Sequence, residues 1–502
     1  MKLILNNFFA TIITCVIIVL VVISCKEKVS NMAKPLPFSY EDKITNSSKK
    51  LPVYSNGWIA HNANTPAPQE GIGSPFDTDS TTNGIFHQWS WQKFLWLTKP
   101  TSETEVLHIK DKDQIKPLTI NVKTPLFLNP NSMIQVDSYM KKVPQQSLAM
   151  VVLKEINQAG SPQGVLKTNP NYNSNSVSNT IYYSLHVNSS FFNNAVTYLN
   201  QLNNGTLPKD NFKTFPVGSL ELKVSWVTVS AIPKDKRPNF YTTVAAIITN
   251  NGEYKKTEVA LLGMHVVGVV KNHPEFIWAT FEHNDLAPNY DWHINTASTT
   301  NQKLLFSTGS TTGLDGITYN NGVKLADKAF NLFKYNIPVN ATGFMKTSQS
   351  EPLNFNNMTS INNDAASNLK GVWQNYFYNG ALWLNTDGLS PEQQAKTIVS
   401  LNNKIGDATP GSLARGSVNN VNVTMETFTQ TFQTNISSIK SGNLANCFSC
   451  HSAISYSSNT SPIYLSHIFN SYINNQQGKT IEEVEQLKLK QEIMQNAMFQ
   501  KK

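Results

Sequence analysis

Cysteine is scarce: the 502 residues hold four, Cys15, Cys25, Cys447 and Cys450. With Cys15 and Cys25 at the extreme N-terminus, too few remain for a disulfide-stapled body or a four-thiolate zinc site. Concentrated positive charge is also lacking. The balance of +8 is scattered in short lysine pairs with no arginine-rich stripe, so no nucleic-acid partner is expected. Internal repeats are absent. No Ser-His-Asp arrangement, phosphate-cradling glycine loop or nucleotide fingerprint occurs in a suitable setting, which leaves hydrolase and kinase chemistry without support.

What is present begins with the two C-terminal cysteines, which stand together as Cys447-Phe448-Ser449-Cys450-His451. C-x-x-C-H is the attachment signature of c-type haem. Each thiol adds to one vinyl group of the porphyrin, and the adjacent imidazole reaches the iron. The spacing matters because all three groups must meet one macrocycle from a single turn of chain. Cys447 and Cys450 are therefore the expected covalent attachment points of one haem c, and His451 the proximal axial ligand of its iron. The competing reading is a structural disulfide between Cys447 and Cys450.

The N-terminus fits an exported protein. Lys2 is followed by an apolar run from Phe8 to Ile23, and then Val22-Ile23-Ser24-Cys25. A small residue before a cysteine, after such a run, is the pattern of a bacterial lipoprotein signal, with cleavage before Cys25 and lipid on its thiol. The alternative is an uncleaved spanning helix, for which Leu3 to Ile23 is long enough. Residues 1–24 are read as the signal and 25–56 as a polar tether. The expected location is the cell envelope, anchored to the membrane by lipid and facing the periplasm or cell surface. The mild positive balance would suit an acidic redox partner protein or an anionic lipid surface.

Residues 57–335 read as a β-rich domain. Leu220, Leu222, Val224 and Trp226 alternate along one strand, and Val259–Val270 and Phe276–His283 form an expected hairpin across a short connection. One helix is expected early, around His87–Trp96, with Trp91, Phe94 and Leu95 on one side. Residues 336–502 read as a mostly α-helical, cytochrome c-like haem domain. Leu369, Val372, Trp373 and Tyr376 have helical spacing. Ser390-Pro391-Glu392-Gln393 and Thr480 with Glu483 look like capped helix starts. The expected class is thus α+β with two main domains.

Several segments resemble a group of exported bacterial c-type cytochrome-like proteins with a single C-terminal haem motif. They are Trp91-Gln92-Lys93-Phe94 with Leu97 to Pro100, Leu220 to Trp226, Leu262-Gly263-Met264-His265-Val266-Val267, Trp278-Ala279-Thr280-Phe281-Glu282-His283, Thr424-Met425-Glu426-Thr427 and the haem run itself. Lys99 departs from the group's tryptophan, and the tail past residue 475 is longer. The group has no established activity, so the resemblance implies architecture and haem, not a reaction.

The iron's sixth position separates the functional readings. Met425 is the leading distal candidate and His467 the alternative; Met494 and Met498 belong to an amphipathic helix. A second polar constellation of His265, Glu282 and His283, with Asp285 and His293 following, is a candidate metal site or distal wall. Electron transfer by a monohaem cytochrome is the first expectation. A haem-dependent peroxidase- or oxygenase-like enzyme with a β-domain pocket is the second. A surface binding module with accessory haem is the third.

Overall fold

The computed structural model describes residues 61–111, 114–143, 150–153, 168–248, 253–287, 290–291, 296–297, 301–305, 317–320, 323–326, 344–345, 354–401, 414–417, 422–425, 447–476, 478–480, 483–484 and 487. The expected signal, lipid site Cys25, tether, Thr427, His293, Met494 and Met498 lie outside them.

In chain order the elements are helix α1 (Asn83–Thr98), hairpin strands β1 (Pro100–Asp111) and β2 (Gln114–Pro125), β3 (Ile134–Val136), β4 (Met150–Leu153), β5 (Tyr182–Val187), helix α2 (Ser189–Asn203), β6 (Leu220–Thr228), β7 (Thr242–Ile248), β8 (Tyr254–Val270) and β9 (His273–His283). After these come β10 (Phe344–Met345), α3 (Asn354–Asn368), β11 (Tyr376–Leu384), α4 (Pro391–Leu401), β12 (Ala414–Ser417), α5 (Cys447–Cys450) and α6 (His467–Gln476).

One ten-stranded sheet organises the chain, in the order β10-β12-β11-β9-β8-β6-β5-β3, with β7 on β8 and β4 parallel to β7. Alternation assigns its faces. On the first face Leu220, Leu222, Val224 and Trp226 join Met264, Val266, Ile277, Ala279 and Phe281 in one buried cluster. Helix α1 packs there, with Phe94 stacked on Phe281 at 4.1 Å and Phe86 on Trp383 at 3.9 Å. Gly268 admits this packing, since a Cβ would meet the Trp89 ring at 2.8 Å. On the second face Leu185, Val187, Val267, Val269, Phe276 and Trp278 pack beneath α2 and the segment from Phe448 to Ile473.

The region after residue 335 corrects the expectation of a mostly α-helical haem domain. It contributes strands to the sheet: β11 pairs antiparallel with β9, from Tyr376 opposite His283 to Leu382 opposite Trp278. The helical spacing of Leu369, Val372, Trp373 and Tyr376 becomes only a short 3₁₀ stretch, Gly371–Asn375, not an α-helix. Helix α3 ends at Asn368, and Gly371 takes φ +71°, a left-handed conformation that glycine adopts without a Cβ clash. The aromatic run that follows, Tyr376 to Leu384, then gains the free edge of β9. The chain is a sheet-dominated fold whose sheet crosses the expected boundary at 335/336.

Both expected capping boxes form. The Ser390 amide donates to Gln393 Oε1 at 2.9 Å, and the Gln393 amide to Ser390 Oγ at 3.3 Å. The Thr480 amide donates to Glu483 Oε2 at 2.7 Å and the Glu483 amide to Thr480 Oγ1 at 3.2 Å.

Candidate haem site

The C-x-x-C-H run lies on the second face of the sheet. Residues Cys447–Cys450 form one helical turn, and the His451 amide donates to the Cys447 carbonyl at 2.8 Å. In that turn positions 447, 450 and 451 fall on one side, because i, i+3 and i+4 are neighbours on a helix. Phe448 takes the other side. It is fully buried and meets the Trp278 ring at 6.1 Å. Cys447 and His451 stay half-buried. The Cys450 side chain lies outside the description.

The His451 ring is held from three directions. It lies against Trp278 at 4.2 Å and His467 at 3.9 Å between centroids, and its Nδ1 is 2.8 Å from the Leu465 carbonyl oxygen. A carbonyl only accepts, so Nδ1 carries the proton and Nε2 keeps its lone pair. This is the orientation an imidazole needs to ligate a metal through Nε2.

The Leu465 carbonyl is positioned by its neighbours. The single helical turn Pro462–Leu465 ends there, and Ser466 breaks into extended backbone. Ser466 Oγ accepts from the Phe469 amide at 3.3 Å, capping α6, and donates to Glu221 Oε2 at 2.6 Å. Glu221 is buried on β6, and that burial pushes its carboxyl up to about 7, although the Ser466 hydroxyl pulls it down.

The sheet register maps what lies beside this anchor. Along one row of the second face run Val187, Glu221, Val267, Trp278 and Leu382. The next row holds Leu185, Lys223, His265 and Thr280, and the one after it Tyr183, Ser225, Gly263 and Glu282. In these rows Lys223 and His265 alone are half-exposed; every other residue named is buried. Lys223 and His265 sit opposite each other on β6 and β8, so the surface opens at that pair.

Beyond the opening a turn of residues 422–425 is fastened to the sheet. The Val423 amide donates to Glu282 Oε1 at 2.7 Å, Asn422 Nδ2 to Thr280 Oγ1 at 3.0 Å, and Tyr183 OH to the Thr424 carbonyl at 2.6 Å. Thr424 Oγ1 and Ser225 Oγ are 2.6 Å apart. Gly263 makes room, since a Cβ there would stand 2.7 Å from Asn422 Nδ2. Met425 ends this turn and is 1% exposed.

The remaining candidates divide between the two faces. His265 and Glu282 share the second face, two strand positions apart across the β8–β9 pair, whereas His283 points to the first. His283 Nε2 donates to the Asn239 carbonyl at 3.0 Å, Nδ1 accepts from the Asp285 amide at 3.1 Å, and the ring stacks on Phe240 at 3.6 Å. Burial lowers its pKa to about 4. With both nitrogens committed it is a neutral structural group. Asp285 is held below the ordinary carboxylate range, against its burial, by Lys303 at 2.8 Å, by Tyr172 and by Lys236 at 3.1 Å. His265, Glu282 and His283 are therefore not gathered into one site. Among the described residues no group of three or more His, Cys, Asp or Glu is arranged to hold a metal ion.

The His467 ring stacks on the His451 ring at 3.9 Å between centroids, and His467 begins α6 two residues after the carbonyl that holds His451. Spacing alone did not single out Trp278, Glu221, Ser466 or Leu465. A Glu and a Lys on an otherwise apolar strand, Glu221 and Lys223, were the available signal. No family model, curated protein or solved structure matches the chain.

Proposed function

We propose that the chain is a lipid-anchored monohaem c-type cytochrome that transfers electrons at the cell envelope. The carrying observation is the His451 imidazole beside the Cys447–Cys450 turn. Its Nδ1–H donates to the Leu465 carbonyl, which turns Nε2 into the lone-pair-bearing nitrogen, and the residue is half-buried. These residues fit haem c: Cys447 and Cys450 would hold the porphyrin, and His451 would ligate the iron. Bound haem would supply one-electron redox chemistry. Trp278 and Phe448 exclude water behind the ring, and Glu221 through Ser466 keeps the Leu465 carbonyl in place.

The lipid on Cys25 and the envelope location belong to this proposal and rest on the N-terminal sequence. A haem-dependent enzyme is the second reading, favoured by the half-exposed Lys223–His265 pair, which could face a small substrate. Mass spectrometry of the 447–451 peptide, from protein matured in a host that attaches haem c, tests the shared premise. An added tetrapyrrole mass supports it, and an unmodified or disulfide-linked peptide refutes it. A low-spin ferric spectrum then favours the carrier, and a high-spin spectrum with rapid cyanide binding favours the enzyme.

A further inference from the structure

We propose that His265 of β8 is the axial ligand opposite His451 in the haem-loaded protein; this rests on the haem reading above and names the sixth position of the same site.

His451 lies against Trp278, and His265 is the diagonal neighbour of Trp278 on the same sheet face: Trp278 pairs with Val267, and His265 is two residues before Val267. Diagonal neighbours on adjacent strands have Cα atoms about 7–8 Å apart. The sheet therefore carries a second imidazole on the same face, one diagonal away from the residue that His451 lies against. Among the rows mapped above, the surface opens at His265 and its cross-strand neighbour Lys223.

The other candidates are placed less well. His467 is stacked on His451 at 3.9 Å between ring centroids, too close for a porphyrin plane to lie between them. Met425 is 1% exposed, on a turn fastened by Glu282, Thr280, Ser225 and Tyr183. His265 sits mid-strand between β6 and β9, so it is held rigidly with no loop to order. Two imidazole ligands make a low-spin electron carrier and leave no site for substrate on the iron. The inference also gives the large sheet a role, which is to carry the ligand that the short haem-binding segment lacks.

The test uses the full chain matured with haem c. Wild type, His265→Ala, His265→Met and Met425→Leu are compared by peptide mass, ferric electron paramagnetic resonance and near-infrared spectra. Wild type is expected to be low-spin without a methionine-to-iron charge-transfer band. His265→Ala should keep the haem mass, become high-spin, gain cyanide binding, and return to low-spin with added imidazole. His265→Met, which keeps a side chain at the position, should stay low-spin and acquire the methionine band. Met425→Leu should keep the wild-type spectrum. Haem attached to His265→Ala with an unchanged low-spin spectrum overturns this inference alone. So does a methionine band in wild type that Met425→Leu removes. If His265→Ala does not fold, His265→Met decides by the presence or absence of the new band. Wild type without haem overturns the functional reading and this inference with it.

Discussion

Replacing Glu221 with glutamine tests the arrangement that holds His451 without needing the haem. The Glu221 carboxyl is buried under the segment from Leu465 to α6 and receives the Ser466 hydroxyl at 2.6 Å. Burial raises its pKa from the ordinary 4.5 to about 7. A group that binds its proton more tightly in the folded state contributes stability that is complete below its unfolded pKa. That contribution is lost as pH rises through the folded one. The window is therefore pH 4.5 to about 7. At 1.36 kcal/mol per tenfold ratio, its span corresponds to about 3 kcal/mol of stability lost by wild type across it. The Glu221→Gln amide keeps an acceptor for Ser466 and has nothing to titrate. The variant should match wild type near pH 4 within about 1 kcal/mol, the scale of one hydrogen bond. It should be more stable by about 3 kcal/mol above pH 8. Urea unfolding followed by tryptophan fluorescence at a series of pH values gives both curves. Parallel curves, with a constant offset from acid to alkali, would refute the reasoning, because they would mean the carboxyl titrates alike in folded and unfolded chain.

Two further outcomes follow from other parts of the sheet. Burial alone would lower the pKa of His273, but Glu275 at 2.9 Å and Asp387 at 3.5 Å raise it to about 9. Its contribution, about 3 kcal/mol, is complete below pH 6.5 and is lost as pH rises through about 9, so Glu275→Gln, which leaves Asp387 in place, should shrink the alkaline part of wild type's pH dependence in denaturant melts. An unaltered alkaline limb in that variant would contradict the assignment. Gly263→Ala places a Cβ 2.7 Å from Asn422 Nδ2 and 3.1 Å from the Phe281 carbonyl oxygen. It should cost about 1–3 kcal/mol of stability and speed proteolysis around residues 422–425, where an unchanged melting midpoint would count against the close packing.

Much of the sheet was readable from local pattern. The alternation of Leu220, Leu222, Val224 and Trp226 sent those residues to the first face, and the expected hairpin formed with its strands extended to Tyr254–Val270 and His273–His283. Helix α1 covers the expected segment, with Trp89 and Trp91 in the core and Trp96 partly buried against it. The misreading after residue 335 has a specific cause. Spacing of three and four fits a helix at Leu369–Tyr376, but it says nothing about Gly371 at φ +71° or about an unpaired edge on β9. A strand far along the chain fills that edge, and pattern within one segment cannot register a partner so distant.

The site divides in the same way. Local chain chemistry sets what one turn can do: two thiol positions and an imidazole on one side of a helix turn, and the side chains that cap helices at Ser390 and Thr480. These depend only on neighbours within four residues. The tertiary structure alone decided which groups meet that turn. It gave His451 the Leu465 carbonyl and the Trp278 ring, set Glu221 beneath Ser466, and placed His265 on the same face while turning His283 to the other. Strand register makes those choices, because side chains alternate faces with every residue and partners are matched across chain separations that no local pattern records.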